Sequence, residues 1–120
     1  MTDKKRKKAY KRGHFAETLA CGFLFLKSVS IKERRYKTPV GEIDIIATRG
    51  DVTAFCEVKA REEYDAAARS ISQKQKIRIT RAAEYYMSYL KSDHKNNKIY
   101  RCDVILIIPW RWPKHIENAW

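Results

Sequence analysis

The segment Gly41–Arg61, GEIDIIATRGDVTAFCEVKAR, has the pattern of a β-hairpin and decides the fold. Two runs rich in β-branched and aromatic residues, Glu42–Thr48 and Val52–Arg61, are typical of strands. Gly50-Asp51 between them suits a two-residue turn in which glycine takes the first, positive-φ position. Counting outward from that turn predicts which residues face each other across the hairpin.

The predicted register brings charged side chains together on one face of the hairpin. Asp44 is expected opposite Glu57, and Glu42 opposite Lys59. Like charges at directly opposed positions destabilise a hairpin, so two facing carboxylates need a counter-charge. The simpler interpretation is a solvated face with Glu–Lys pairs. Such a face would place a lysine opposite Asp44, and Glu57 stands there instead.

A divalent cation is the counter-charge that this arrangement favours. Mg²⁺, or Mn²⁺ in its place, binds one or two carboxylates together with water and phosphate, so Asp44 and Glu57 are predicted metal ligands. A metal held there suits phosphodiester hydrolysis, because it polarises the phosphoryl group and acidifies a bound water. Lys59 would position the water or stabilise transition-state charge. Glu17, at the margin of the preceding helix's apolar face, would contribute an outer ligand if that margin faces the pocket.

The segments around the hairpin predict an α/β fold. The first helix is expected to have a broad apolar face that includes Phe15, Leu19 and Leu26. The order of elements gives a sandwich with a mixed sheet, in which the second helix crosses between the third and fourth strands. The predicted elements are a helix over Gly13–Lys27, a strand over Ser30–Tyr36, a turn at Thr38–Gly41 with glycine at positive φ, a helix over about Ser70–Leu90, a polar loop over Asp93–Lys98, a strand over Cys102–Ile108 and a short edge strand or docked segment over Lys114–Trp120.

The charge of the chain favours a polyanionic partner. Its 120 residues include 26 Lys and Arg against 14 Asp and Glu, a formal charge of +12. Nucleic acid, DNA above all, is favoured over an anionic membrane surface. We expect residues 1–11 to form a basic, flexible arm, which also suits a merely solvated tail, before a single domain at 12–120. The predicted phosphate contacts are Lys7, Lys8, Lys11, Arg12, Arg61, Lys74, Lys76 and Arg78.

Other residue types favour a cytoplasmic protein without a zinc centre. Three widely spaced cysteines predict buried free thiols in a reducing compartment. No stretch approaches the roughly 20 apolar residues of a membrane span. The histidines lack metal-ligand spacing, and we expect His115 to pack or hydrogen-bond locally. Trp110 and Trp112 suit packing or partner docking better than base stacking.

Four ordered blocks of this sequence resemble the YraN-like family of small bacterial proteins. They are RGHFAE at Arg12–Glu17, GEIDIIA at Gly41–Ala47, FCEVKAR at Phe55–Arg61 and HIENAW at His115–Trp120. That family is related to Holliday-junction resolvases within the restriction-endonuclease-like, PD-(D/E)xK superfamily. The resemblance implies a restriction-endonuclease-like three-layer sandwich, with a central mixed β-sheet flanked by helices, and a metal-dependent DNA-cleaving site.

The same resemblance implies roles for individual residues. Asp44 matches the superfamily's metal-binding Asp, while Glu57 and Lys59 match its E-x-K pair. Glu17 matches the helix carboxylate, and Gln75 matches a Lys or Gln position of the second helix that faces the site. Ile43 stands where the superfamily name places a proline.

Two functions of different classes are consistent with these residues. The first is a metal-dependent endonuclease acting on DNA, including branched or structured DNA in repair or recombination. The second is a non-catalytic module that binds nucleic acid or docks a partner on the same fold. Junction resolution requires two sites and hence a symmetric homodimer.

Overall fold

A computed structural model describes residues 3–62, 71–90 and 99–120, with side chains from His14 onward. The five strands form one sheet in chain order, in which β3 and β4 are parallel and the other neighbours are antiparallel. The sheet is mixed because α2 carries the chain across between β3 and β4, as predicted. The elements are α1 (Asp3–Leu26), β1 (Ser30–Thr38), β2 (Gly41–Arg49), β3 (Val52–Ala60), α2 (Gln73–Ser88), β4 (Ile99–Ile107) and β5 (Lys114–Ile116).

The two helices cover opposite faces of the sheet. On one face, α1 places Ala20 and Leu24 against Ile45. On the other face, α2 places Ile79 against Phe55. This three-layer arrangement confirms the predicted α/β, restriction-endonuclease-like sandwich.

The helix α1 begins at Asp3, so the expected start at about Gly13 was wrong. The side chains of residues 3–13 lie outside the described part of the chain. The division into an arm at 1–11 and a domain at 12–120 stays a prediction.

The buried stripe of α1 is narrower than its apolar pattern predicted. Ala16 and Leu24 are buried, but Phe15, Leu19 and Leu26 are 66%, 41% and 73% exposed. A straight helix meets a sheet along one line of residues about four apart, and side chains beside that line point outward. Small residues on the line let the helix approach the sheet closely.

The β2–β3 hairpin has the predicted turn and, next to it, the predicted register. Gly50 has a φ of 58°, in the left-handed region that glycine adopts at little cost. The ladder pairs Arg49 with Val52 and continues to Ile45 with Cys56. The cross-strand neighbours of the sheet's central hairpin therefore follow from the turn.

The ladder described for β2 and β3 ends at that last pair. The predictions that Asp44 would pair directly with Glu57, and Glu42 with Lys59, were wrong. On its other edge, β2 continues to pair with β1 through this segment, and Glu42 faces Lys37 there. The strands of the hairpin part where the charged residues begin.

Two other element boundaries differ from the predicted ones. Strand β4 begins at Ile99, where it pairs with Val52, three residues before the predicted start. Helix α2 begins at Gln73, because Ser72 caps its N-terminus. The predicted loop at 93–98 lies outside the described residues.

Gly41 serves close packing between β2 and α2. Its φ is not positive, contrary to the prediction of a left-handed turn. A Cβ atom at this position would lie 2.5 Å from the backbone oxygen of Arg78. The strand therefore approaches the helix at a distance that only glycine allows.

The C-terminal segment lies as predicted, whereas the predicted burial of the cysteines holds for Cys56 and is wrong for Cys21 and Cys102, which are half-buried. After the short edge strand β5, Trp120 packs beside α2, and its indole N–H donates to Thr80 Oγ1 at 3.2 Å. Cys21, Cys56 and Cys102 are free thiols, of which Cys56 is fully buried. Among the helices that the structure describes, none has the length and apolar character needed to cross a membrane.

Candidate active site

Strand β2 loses its regular alternation at Asp44. Ile43 packs on the α2 side of the sheet and Ile45 on the α1 side, although residues two apart in a regular strand share a face. Opposite Asp44 on β1 lies Arg35, between two ladder pairs. Its φ of 52° is uncommon for a residue other than glycine. This irregularity releases Asp44 from the ladder.

Asp44, Glu57 and Lys59 meet through their side chains. Asp44 Oδ2 accepts a hydrogen bond from the backbone N–H of Val58 at 2.8 Å, which holds the carboxylate where the strands part. The Glu57 carboxyl group lies close enough to Asp44 for the Asp44 charge to raise its pKa. Lys59 Nζ lies 3.4 Å from Glu57 Oε1, with both side chains nearly buried. The structure thus brings the three residues together without the backbone pairing that the sequence predicted.

Burial is the main influence on both carboxyl groups. It raises the pKa of Glu57 to about 7; the Asp44 carboxylate adds to the rise, and the Lys59 ammonium opposes it. Burial also raises the pKa of Asp44, against the hydrogen bond from Val58 and with a further contribution from Glu17. Near neutral pH the pair therefore retains a proton for part of the time, which relieves the repulsion between two adjacent anions.

Glu17 approaches this cluster from α1 and is held by two arginines. Its side chain is 8% exposed and lies within electrostatic reach of Asp44. Arg35 Nε lies 3.2 Å from both carboxylate oxygens, and Arg34 Nε lies 3.5 Å from one of them. Arg35 also contacts the His14 ring.

The arginine pair was missed at the level of sequence. Adjacent residues of a regular strand face opposite sides, so Arg34 and Arg35 were not expected to reach one partner. The positive φ of Arg35 interrupts that alternation and lets both side chains contact Glu17. The sequence signal was the repeated arginine in a strand beside the hairpin.

A cleft of about 440 Å³ on the α2 side of the sheet contains Glu57 in its wall. Gln75 lines the same cleft. Its Oε1 accepts the N–H of Ser72 at 3.0 Å, and its own N–H donates to Ser72 Oγ at 3.1 Å. This reciprocal cap begins α2 and fixes the Gln75 side chain at the cleft.

Several cationic side chains lie on the cleft and near it. Lys37 and Arg78 line it. On α2, Lys74 is exposed and Lys76 half-buried, and Arg61 is exposed just after β3. The N-terminal residues predicted to contact phosphates have side chains outside the described part of the chain, and their role stays a prediction; they are Lys7, Lys8, Lys11 and Arg12.

A second cluster of polar side chains, on the α1 side of the sheet, was not predicted as a unit. Asp103 is fully buried and accepts from Arg101 Nε at 3.0 Å, Arg101 Nη2 at 2.9 Å and the N–H of Asn118 at 2.9 Å. His115 Nε2 lies 2.7 Å from Asp103, and Lys27 Nζ lies 3.0 Å from His115 Nδ1, so His115 hydrogen-bonds as expected, but to partners that are distant in sequence. Burial raises the pKa of Asp103, but these bonds together lower it below its ordinary value. A single Asp within the apolar run CDVILII was the available signal.

The chain is similar to proteins of one family along most of its length. The family described as "Uncharacterised protein family UPF0102" matches residues 16–107, which include Glu17, Asp44, Glu57 and Lys59. A UPF0102 protein of Mesorhizobium japonicum is 45% identical over 114 residues, covering 95% of this chain and 90% of that protein. A relative from Sinorhizobium medicae is 43% identical over 118 residues (98% and 95% covered), and one from Parvibaculum lavamentivorans is 46% identical over 112 (93% and 83%). The chain therefore belongs to the UPF0102 family, the YraN-like family that its motifs resemble.

Proposed function

We propose that this chain is a divalent-metal-dependent endonuclease of the cytoplasm that hydrolyses phosphodiester bonds in DNA. The observation that carries the proposal is the proximity of the half-buried Asp44 and Glu57 side chains where the strands part, with Lys59 Nζ 3.4 Å from Glu57 Oε1. Two carboxyl groups held close together destabilise the folded state. Side chains with pKa values shifted in this way are found most often at functional sites. Glu57 also opens to a cleft wide enough for a ligand.

The donor set suits a hard divalent cation, and Asp44 and Glu57 would hold Mg²⁺ or Mn²⁺. Carboxylate oxygens are the ligands that these ions prefer. A cation between the two groups would offset their repulsion, which adds to the effect of burial in raising the pKa of Glu57. When bound, the ion supplies Lewis-acid activation of the phosphate and lowers the pKa of a coordinated water.

The chain's own side chains provide the remaining parts of the site. The Lys59 ammonium lies where it can stabilise negative charge that develops on the phosphoryl group. Glu17, fixed by its arginines near Asp44, would contribute an outer ligand to the ion. Gln75 and Arg78 line the cleft, where they would contact a nucleic-acid backbone.

The charge of the chain supports nucleic acid as the substrate class. A formal charge of +12 favours contact with phosphates, and no element of the sequence has the pattern of a major-groove reader. Recognition of branched or structured DNA, as in repair or recombination, is the finer proposal. Paired cuts at a junction need two sites, so we propose a homodimer, which a mass measurement in solution would test.

One observation favours a second candidate, a non-catalytic module that binds nucleic acid. Both oxygens of Glu17 are bound by Arg35, and Glu57 is paired with Lys59, so much of the cluster's charge is balanced without a metal. This candidate predicts salt-sensitive DNA binding that survives Asp44→Asn and shows no dependence on divalent cations.

A cleavage panel separates the two candidates. The full chain is incubated with branched, flapped and linear DNA in Mg²⁺, Mn²⁺ or EDTA, beside Asp44→Asn, Glu57→Gln and Lys59→Met. The matched control is Glu84→Gln, which removes an exposed acid from α2. We expect metal-dependent cleavage that falls at least about 100-fold in the three cluster variants and persists in the control. The outcome that supports the non-catalytic module has three parts: the chain binds DNA in a salt-sensitive way, it cleaves none of the substrates, and calorimetry detects no metal binding.

A further inference from the structure

A second cavity, of about 130 Å³, lies on the opposite face of the sheet from the cleft. Its apolar wall includes Leu24 and Ala47, which belong to the core beneath α1. Its polar wall includes Lys27 and His115. Among the described residues, none lines both this cavity and the cleft that contains Glu57. The cavity is therefore a separate site.

Cations outnumber anions on the polar wall of this cavity. Arg101 is neutralised there, since it pairs with buried Asp103 at 2.9 Å and with Glu117 at 3.4 Å. The Lys27 ammonium instead contacts an imidazole nitrogen and, at 5.3 Å, the ring of Phe23.

Arg49 is the other cation of the wall without a carboxylate. It is exposed and makes no ion pair with any residue that the structure describes. Together with Lys27, it leaves two positive charges at the cavity unneutralised. Their N–H groups are available to a ligand, because a lysine ammonium has three donors and only one is used on His115.

The contact between Lys27 and His115 fixes the position of the imidazole proton. An ammonium group can only donate, so Nδ1 of His115 accepts. Nε2 then carries the proton and donates it to Asp103. The hydrogen bonds among Asp103, Arg101, His115 and Lys27 therefore fix these side chains in place. The remaining N–H donors of Lys27 are available to a ligand in the cavity.

A metal ion is poorly suited to this cluster, although three of its donor atoms converge. Cys56, Asp103 and His115 place one ligand atom each within 4.8 Å of one another. However, Nε2 of His115 bears a proton, and Asp103 is already bound by Arg101 and Asn118. Burial, reinforced by Asp103, raises the pKa of the Cys56 thiol, which disfavours the thiolate that metals bind. The neighbouring guanidinium and ammonium would repel a cation.

We propose that this cavity binds a phosphate group through Lys27 and Arg49, while Asp103 holds Arg101 and His115 in place in the same wall. Lysine and arginine are the side chains that recognise phosphate through charge-assisted hydrogen bonds. The group belongs either to a free phosphate compound or to a nucleic-acid phosphodiester, because the same donors recognise both. The site does not depend on the proposed nuclease activity.

The test is a titration of the ¹⁵N-labelled full chain with inorganic phosphate, followed by backbone amide signals. The variant Lys27→Met with Arg49→Gln removes both charges and keeps most of the side-chain volume. The matched control, Lys32→Met with Arg81→Gln, removes two exposed charges elsewhere. We expect saturable shifts around the cavity, an apparent Kd at least about tenfold weaker in the cavity variant, and a Kd within about twofold of wild type in the control.

Adding a short DNA duplex to the phosphate-saturated protein identifies the source. Displacement of phosphate assigns a nucleic-acid phosphodiester and retention assigns a free phosphate compound; either supports the site. Shifts that stay linear with concentration, or that are equal in wild type and cavity variant, overturn the proposal. Stoichiometric Zn²⁺ binding that Cys56→Ser abolishes overturns it too. If the double variant does not fold, the same phosphate titration is carried out on Arg49→Gln, a single substitution at an exposed position.

Discussion

The Glu57 carboxyl group is expected to make the free energy of unfolding depend on pH. Its pKa is about 7 in the folded protein, because of burial and the adjacent Asp44, against an ordinary 4.5. A raised pKa means that the folded state binds the proton more tightly than the unfolded state does. The group therefore costs nothing at low pH, and its cost grows between about pH 4.5 and about pH 7 as the folded state must ionise it.

Replacing Glu57 by Gln removes this cost. From the two pKa values, ionising the group costs the folded state about 1 kcal/mol at pH 5 and about 3 kcal/mol at pH 8. The attraction of Lys59 is already included, since it is one of the influences on that pKa. The glutamine side chain has nearly the same shape as glutamate, and its amide N–H is a donor that can face Asp44. The variant should therefore gain about 2.5 kcal/mol relative to wild type between pH 5 and pH 8.

Urea unfolding in EDTA across that pH range measures the difference. The control Glu84→Gln removes an exposed acid from α2 and should follow the wild-type curve. If the free energies of Glu57→Gln and wild type change in parallel with pH, the carboxyl group is not desolvated as the structure indicates, and the reasoning is refuted. Repeating the series with Mg²⁺ should stabilise wild type at pH 8 more than the variant, because only wild type retains both carboxylates.

Other substitutions test the fold by urea unfolding. Gly41→Ala should cost about 1–3 kcal/mol, because its Cβ would lie 2.5 Å from a backbone oxygen of α2. Gly22→Ala, whose Cβ meets nothing within 4 Å, should stabilise α1 by up to about 1 kcal/mol, and equal losses for the two would contradict the packing described. Ser72→Ala should cost about 1 kcal/mol by removing the cap of α2; no loss would mean that the cap contributes nothing. Asp103→Asn should cost about 3–5 kcal/mol by breaking the buried pair with Arg101, whereas Glu117→Gln, at a 56% exposed side chain, should cost less than about 1 kcal/mol.

The parts of the fold that local sequence determines were predictable. Gly50-Asp51 gave the hairpin register as far as Ile45 and Cys56, because turn geometry and side-chain alternation act over short distances. Extrapolation of a regular ladder failed at Asp44. The irregularity there accompanies a positive φ at Arg35, whose side chain is held by a distant helix, and no local pattern encodes that contact.

The same limit applies to the surface of α1 and to the buried polar network. Apolar periodicity identified the helix, but it could not show that Phe15 would be exposed, because exposure depends on which line of the helix meets the sheet. Asp103 stood out in its apolar strand. Its partner His115 contacts Lys27 in turn, and these two residues are 88 positions apart in the sequence, so their convergence required the tertiary structure.

The carboxylates of Asp44, Glu57 and Glu17 lie close together in a protein that must fold before it binds a cation. The loss of strand pairing at Asp44 explains how this is possible. A continued ladder would have set Asp44 directly against Glu57 with no donor between them. In the structure each acid has its own donor: the Val58 N–H for Asp44, Lys59 for Glu57, and an arginine pair for Glu17. Among the described residues, no buried side-chain nitrogen or oxygen lacks a partner. If Asp44 and Glu57 bind a cation as proposed, the site is preformed, and its affinity depends on how readily Glu57 exchanges its proton and its contact with Lys59 for the ion.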